Sequence, residues 1–97
     1  MNTNNKSEFK AIQSGNSLKV IHISGKAGME MPLHHATKEV VVIVEEGIGI
    51  LTFEGKKHQL QKGDHFIIPA QINHSLVLKT DFKATGVMLL DSTIEFE

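Results

Sequence analysis

The apolar residues of this chain fall into short runs whose period is two, not 3.6. From Leu18 to Ile23 the side chains alternate, with Leu18, Val20 and His22 on one face and Lys19, Ile21 and Ile23 on the other. Val40 to Val44 is an unbroken β-branched run, too short for a typical helix and stiff at χ1, so it reads as a strand covered on both faces. Further strands are predicted over 48–53, 58–60, 65–68, 75–78 and 85–90. Met29 to His35 should be extended, because Pro32 cannot sit inside a helix and pushes Met31 towards the β region. Gly- and Asp-containing turns separate these runs at 24–28, 45–47, 54–57, 62–64 and near Asp81, and 70–73 is a loop. No window sustains a helical period. The pattern predicts a single all-β domain, a sandwich or a small barrel. Residues 1–8 are Asn-rich with nothing to bury, and are expected to form a mobile arm ahead of a domain over 9–97.

Composition narrows the function classes. A chain of 97 residues buries one modest core. Its net charge of −1, with no basic stripe, argues against nucleic acid and anionic membranes as partners. The five aromatic residues are all Phe, without the interleaving that stacks single-stranded bases. Without cysteine there is no disulfide framework, no thiolate metal site and no Cys nucleophile. The polar start MNTNNKSE has no apolar signal core, and no segment reaches membrane-spanning length, so a cytoplasmic protein is expected. No Ser-His-Asp order, phosphate-cradling glycine loop or poised carboxylate pair is visible.

Candidate chemistry is concentrated between Gly28 and Gly47. His34 and His35 stand together there, with Glu39 close by, ahead of the Val40–Val44 run. Imidazole and carboxylate suit borderline divalent metals such as Fe, Ni, Mn or Zn. Further along, Gly63-Asp64, Pro69 and His74 keep a second regular spacing. These two stretches resemble the motifs of the cupin superfamily. The first motif there is Gly, five residues, His-x-His, three or four residues, Glu, six residues and Gly. The second is Gly, five residues, Pro-x-Gly, two residues, His, three residues and Asn. The resemblance runs over roughly residues 17 to 90 and implies a double-stranded β-helix, the cupin jelly roll.

The ligand places match less well than the spacing. With Gly28 and Gly47 fixing the register, His34 takes the first ligand place, Ala36 the second histidine place and Val40 the glutamate place. His74 keeps the ligand place of the second motif, while Gln71 replaces its Gly and Leu78 its Asn. A register shifted by one would use His35 and Glu39 instead, at the cost of a β-bulge before Gly47. Because side chains alternate, His34 and His35 cannot both face inward on a regular strand. The unshifted register is preferred. His34 and His74 are therefore the candidate metal ligands, with Gln71, His35 and Glu39 as weaker ones. The alternative is that the two histidines line a pocket, bonded to each other, to water or to an anionic ligand. Val40, Val42, Phe66 and Leu76 are expected to wall that pocket. His22, His58 and His65 are expected in solvated roles, and Met29, Met31 and Met88 as fillers of core gaps.

The resemblance leaves three functions open. One is small-molecule binding or sensing in the barrel pocket with a degenerate metal site. A second is a metal-dependent enzyme of dioxygenase, isomerase or epimerase type using His34 and His74. The third is an interaction protein with a vestigial pocket. A homodimer is expected, because small cupins pair their sheets and the Leu18–Ile23 strand is apolar on both faces.

Overall fold

The computed structural model describes residues 8–96 and, apart from Glu8 and Phe9, their side chains. The expected arm therefore lies outside the described residues, except for Glu8, which already begins a strand. Among the described residues ten strands follow one another without a helix: β1 Glu8–Ser14, β2 Leu18–Gly25, β3 Glu30–Ala36, β4 Val40–Glu46, β5 Ile48–Phe53, β6 Lys56–Gln61, β7 His65–Ile68, β8 His74–Leu78, β9 Phe82–Leu89 and β10 Ile94–Phe96. They form two five-stranded sheets with the orders β1-β2-β9-β4-β7 and β10-β3-β8-β5-β6. All pairings are antiparallel. This is a double-stranded β-helix.

Strict alternation sorts the side chains between core and solvent. In β4, Val40, Val42 and Val44 are buried while Val41 and Ile43 lie half-buried on the outside. In β9, Phe82, Ala84, Gly86 and Met88 face inward, and in β8 His74, Leu76 and Leu78 do so. Met31 and Met88 are core residues, and Met29 packs against the core. The predicted strands all form. β1 and β10 were not legible, since the apolar residues of β1, Phe9, Ala11 and Ile12, are few and do not keep an alternation, and β10 is three residues long.

β3 departs from regularity in a way that matters. Met31 and His34 both face the interior although they are three residues apart. The pairing with β8 shifts register between them, at Pro32-Leu33. Proline has no N–H for a sheet ladder, so the extra residue is accommodated there. The preferred register thus needs a bulge after all, ahead of His34. After it, His34 points in, His35 out and Ala36 in.

Gly47 joins β4 to β5 at φ 89°, and a Cβ at this position would overlap the Asp81 carbonyl and lie 2.8 Å from Thr80 Oγ1. Only glycine meets both demands. His58 differs from its expected solvated role. It faces inward with Leu60 on β6, half-buried, its ring stacked on Phe53 at 5.0 Å and tilted against Phe66 at 5.1 Å. The reason is tertiary: β6 and β7 are the edge strands of the two sheets, and these three rings close the seam between them.

Candidate functional site

His34 and His74 come from strands far apart in sequence that are neighbours in the sheet, where they stand directly opposite each other. Such a pair has closely spaced Cβ atoms, and their ring centroids are 4.2 Å apart, edge to face. Both are buried, with 3% and 5% of their surface exposed. Each ring is tied back to the backbone two residues before it: His34 Nδ1 donates to the Pro32 carbonyl at 2.6 Å and His74 Nδ1 to the Ile72 carbonyl at 3.1 Å. A carbonyl can only accept, so the proton of each neutral ring sits on Nδ1 and the lone pair on Nε2. Two rings in that tautomer cannot bond to each other through Nε2.

Burial is also the main influence on their protonation. It pushes His34 down to about 4, partly offset by the Pro32 carbonyl and assisted by the neighbouring His74 and His35. His74 is lowered by burial too, with the Ile72 carbonyl opposing and His35 assisting. Both imidazoles are neutral near pH 7, because the charged form loses its hydration in an apolar interior.

The two histidines face a cavity between the sheets. Apart from them its lining is entirely apolar, with Val40, Val42 and Ile21 from one sheet and Met31, Leu51, Leu76 and Ile94 from the other among the side chains present. It leaves about 40 Å³ for the centres of water-sized spheres, enough to admit a small molecule or water. Of the expected wall, Val40, Val42 and Leu76 line it. Phe66 does not; it sits one step away in the ring cluster with Phe53 and His58.

β10 closes one side of the site. Ser92, fully buried, has its carbonyl bonded by Lys19 Nζ at 2.6 Å and its hydroxyl by Thr37 Oγ1 at 3.4 Å. Thr37 and Thr93 exchange two further bonds of 3.0 Å. This anchor places Ile94 in the cavity wall and the Phe96 ring 5.0 Å from that of His34. Sequence reasoning missed both residues; an alternating triplet behind a turn is too short a signal.

The weaker candidate ligands are held elsewhere. His35 faces outward, with Nδ1 3.0 Å from Asn73 Oδ1 and Nε2 3.3 Å from Glu95 Oε1. Glu39 is exposed in the loop between β3 and β4. Gln71 is exposed as well; its side-chain amide donates to the Thr37 carbonyl and its backbone N–H to that of Ala36. Its φ of 66° explains the glycine that the resemblance expects at this place. His65 is exposed and His22 half-buried on an outer face. Among the described residues no group of three His, Asp or Glu side chains could hold a metal ion. The tautomer of His34 and His74 suits a metal, but a catalytic centre generally takes three protein ligands. The donor set does not fit a resident catalytic metal.

The family model described as the cupin domain matches residues 19–89. Among solved structures, a cupin superfamily protein from Desulfitobacterium hafniense is 20% identical, with a TM-score of 0.79 over 94% of this chain and 84% of the other. DMSP lyase DddQ from Ruegeria pomeroyi is 20% identical, with a TM-score of 0.82 over 94% of this chain and 51% of the other. A variant of salicylate 1,2-dioxygenase from Pseudoaminobacter salicylatoxidans is 26% identical, with a TM-score of 0.72 over 81% of this chain and 25% of the other. No curated protein matches the sequence. No helix among the described residues is long and apolar enough to cross a membrane.

Proposed function

Since this chain belongs to the cupin domain family, as the match over residues 19–89 establishes, we propose that it is a small cupin that binds or senses a small molecule in its barrel cavity, without a resident catalytic metal. One observation carries the reading: two buried imidazoles, locked in the same tautomer by backbone carbonyls two residues before each, border an otherwise apolar cavity. Burying two polar rings costs stability that an aliphatic pair would not. A ligand that uses them offsets that cost. The fold is shared with a lyase and a dioxygenase, but fold does not carry chemistry, and no three-ligand set for such chemistry is assembled among the described residues.

The test is elemental analysis of protein purified without a metal-affinity tag, combined with a fragment screen read by NMR. The expected result is no stoichiometric metal, and fragment-induced shifts at Val40, Val42 and Leu76 that vanish in a His34→Ala, His74→Ala double variant. Near-stoichiometric Fe, Ni, Mn or Zn, lost in that variant, would instead favour the enzyme reading. A cavity that no fragment perturbs would favour the interaction protein.

A homodimer is part of the proposal. Across the outer face of the first sheet, Ile67, Val41, Val87 and Val20 form one continuous apolar row over four strands, with Leu89 and Leu18 paired beside it. A sheet apolar on both faces needs a cover, and the near-neutral net charge does not oppose a second copy.

A further inference from the structure

We propose that the ligand of this cavity is a small, uncharged and wholly apolar molecule of hydrocarbon character. The inference rests on the cavity being a binding site and goes on to name what it accepts. Among the described residues, His34 and His74 are the only lining side chains that carry nitrogen or oxygen, and the surface open to the space is almost wholly apolar. What the two imidazoles add to the wall is therefore ring surface. Each has its Nδ1–H engaged by a backbone carbonyl, and burial keeps both neutral near pH 7. Neither brings a charge to the space.

Such a wall selects by what it lacks. A carboxylate, phosphate or ammonium group would leave water for a lining without Asp, Glu, Lys or Arg. A hydroxyl or carbonyl would give up its bonds to water for surfaces such as Val42, Leu51 and Leu76, which offer nothing in exchange. Water itself is disfavoured for the same reason, since a buried water needs several polar partners and an apolar void stays dry. A hydrocarbon loses no hydrogen bond on entry and gains burial and dispersion contacts. The space, about 40 Å³ for the centres of water-sized spheres, suits a compound of a few heavy atoms. The wall that yields at least cost is β10. Its Ile94 is the one lining side chain that is only half-buried, and the strand has three residues and a single neighbour in the sheet, β3.

The test is a matched titration of the unaltered protein with isobutene, acetone and acetate, which share one planar branched shape and heavy-atom count. It is followed at the methyl groups of Val40, Leu51 and Leu76. Isobutene is expected to saturate the shifts at a concentration at least about tenfold below acetone, with acetate giving none. An Ala36→Leu variant fills the space from a buried wall position and should lose the isobutene shifts. Should it not fold, Val42→Ile is the smaller filler from the opposite sheet. Acetone or acetate saturating less than about tenfold above isobutene overturns the ligand class while leaving the cavity a binding site. Silence from isobutene does the same when the wider fragment screen finds a binder there. Isobutene shifts that persist unchanged in the filled variant overturn the class too, because the molecule then binds elsewhere. Shifts from none of the three, when the wider screen also perturbs nothing, remove both the class and the binding role.

Discussion

Replacing His58 with Phe should stabilise this protein. His58 Nε2 is the one fully buried side-chain nitrogen or oxygen among the described residues that has no hydrogen-bond partner. An unsatisfied buried polar atom costs about 1–3 kcal/mol relative to its hydrated state. The ring itself is well placed, stacked on Phe53 with an interplanar angle of 21° and resting against Phe66 at 47°. A phenyl ring keeps both contacts and discards the unmet nitrogen. It is slightly larger, and in a packed seam extra volume takes back part of the gain. The expected net effect is about 1–2 kcal/mol. For a domain near 100 residues each kcal/mol moves the melting midpoint by about 4–8 °C, so a rise of about 4–16 °C is expected. With neither Trp nor Tyr in the chain, far-UV circular dichroism during urea and thermal unfolding is the practical readout. A higher urea midpoint at an unchanged slope is the expected result. A variant no more stable than wild type, with the same slope, would refute the reasoning. It would mean that the nitrogen is satisfied, for example by an internal water.

Three further outcomes follow from the same structure. Gly47→Ala combines a left-handed backbone with a Cβ overlapping the Asp81 carbonyl, and should destabilise by about 3 kcal/mol or more, measured by urea unfolding; a loss below about 1 kcal/mol would contradict it. The depressed His34 and His74 make the unfolded chain the better proton binder below its ordinary histidine value of 6.5, so stability should be complete above that pH and fall as pH drops towards about 4. For His34 the change is about 3 kcal/mol at most, and a His34→Gln variant should flatten the urea midpoint against pH; a profile equally steep in the variant would count against burial of a neutral ring. Val87→Glu, in the middle of the outer apolar row, should convert a dimer to a folded monomer by light scattering. A wild type that is monomeric at tens of micromolar ends the dimer proposal.

Much of this architecture was readable along the chain. The β-branched run at Val40–Val44 leaves the backbone little choice, because its residues are stiff at χ1 and pack well only on a pleated surface. Gly28, Gly47, Gly63 and Pro69 punctuate the strands at spacings that carry the family resemblance, and three of those glycines hold positive φ. His34 and His74 could be singled out by that spacing, and alternation then separated His34 from His35. These are local properties, set by neighbouring residues.

What tertiary structure alone decided is where groups distant in sequence meet, and what each then lacks. The bulge at Pro32-Leu33 appears only when β3 must pair with β8, and it is this that puts Met31 and His34 on one face. Pairing also set the opposition of His34 and His74, and the two backbone carbonyls that hold their rings in one tautomer. Gln71 and Glu39 carried ligand-type side chains, yet the loops that hold them turn them to solvent. His58 sat in a run of Lys and Gln and looked solvated, until two sheet edges closed over it. Burial, protonation and the set of available partners depend on atoms brought together by long-range pairing. A local pattern of residue types carries the backbone's preferences but not those distances.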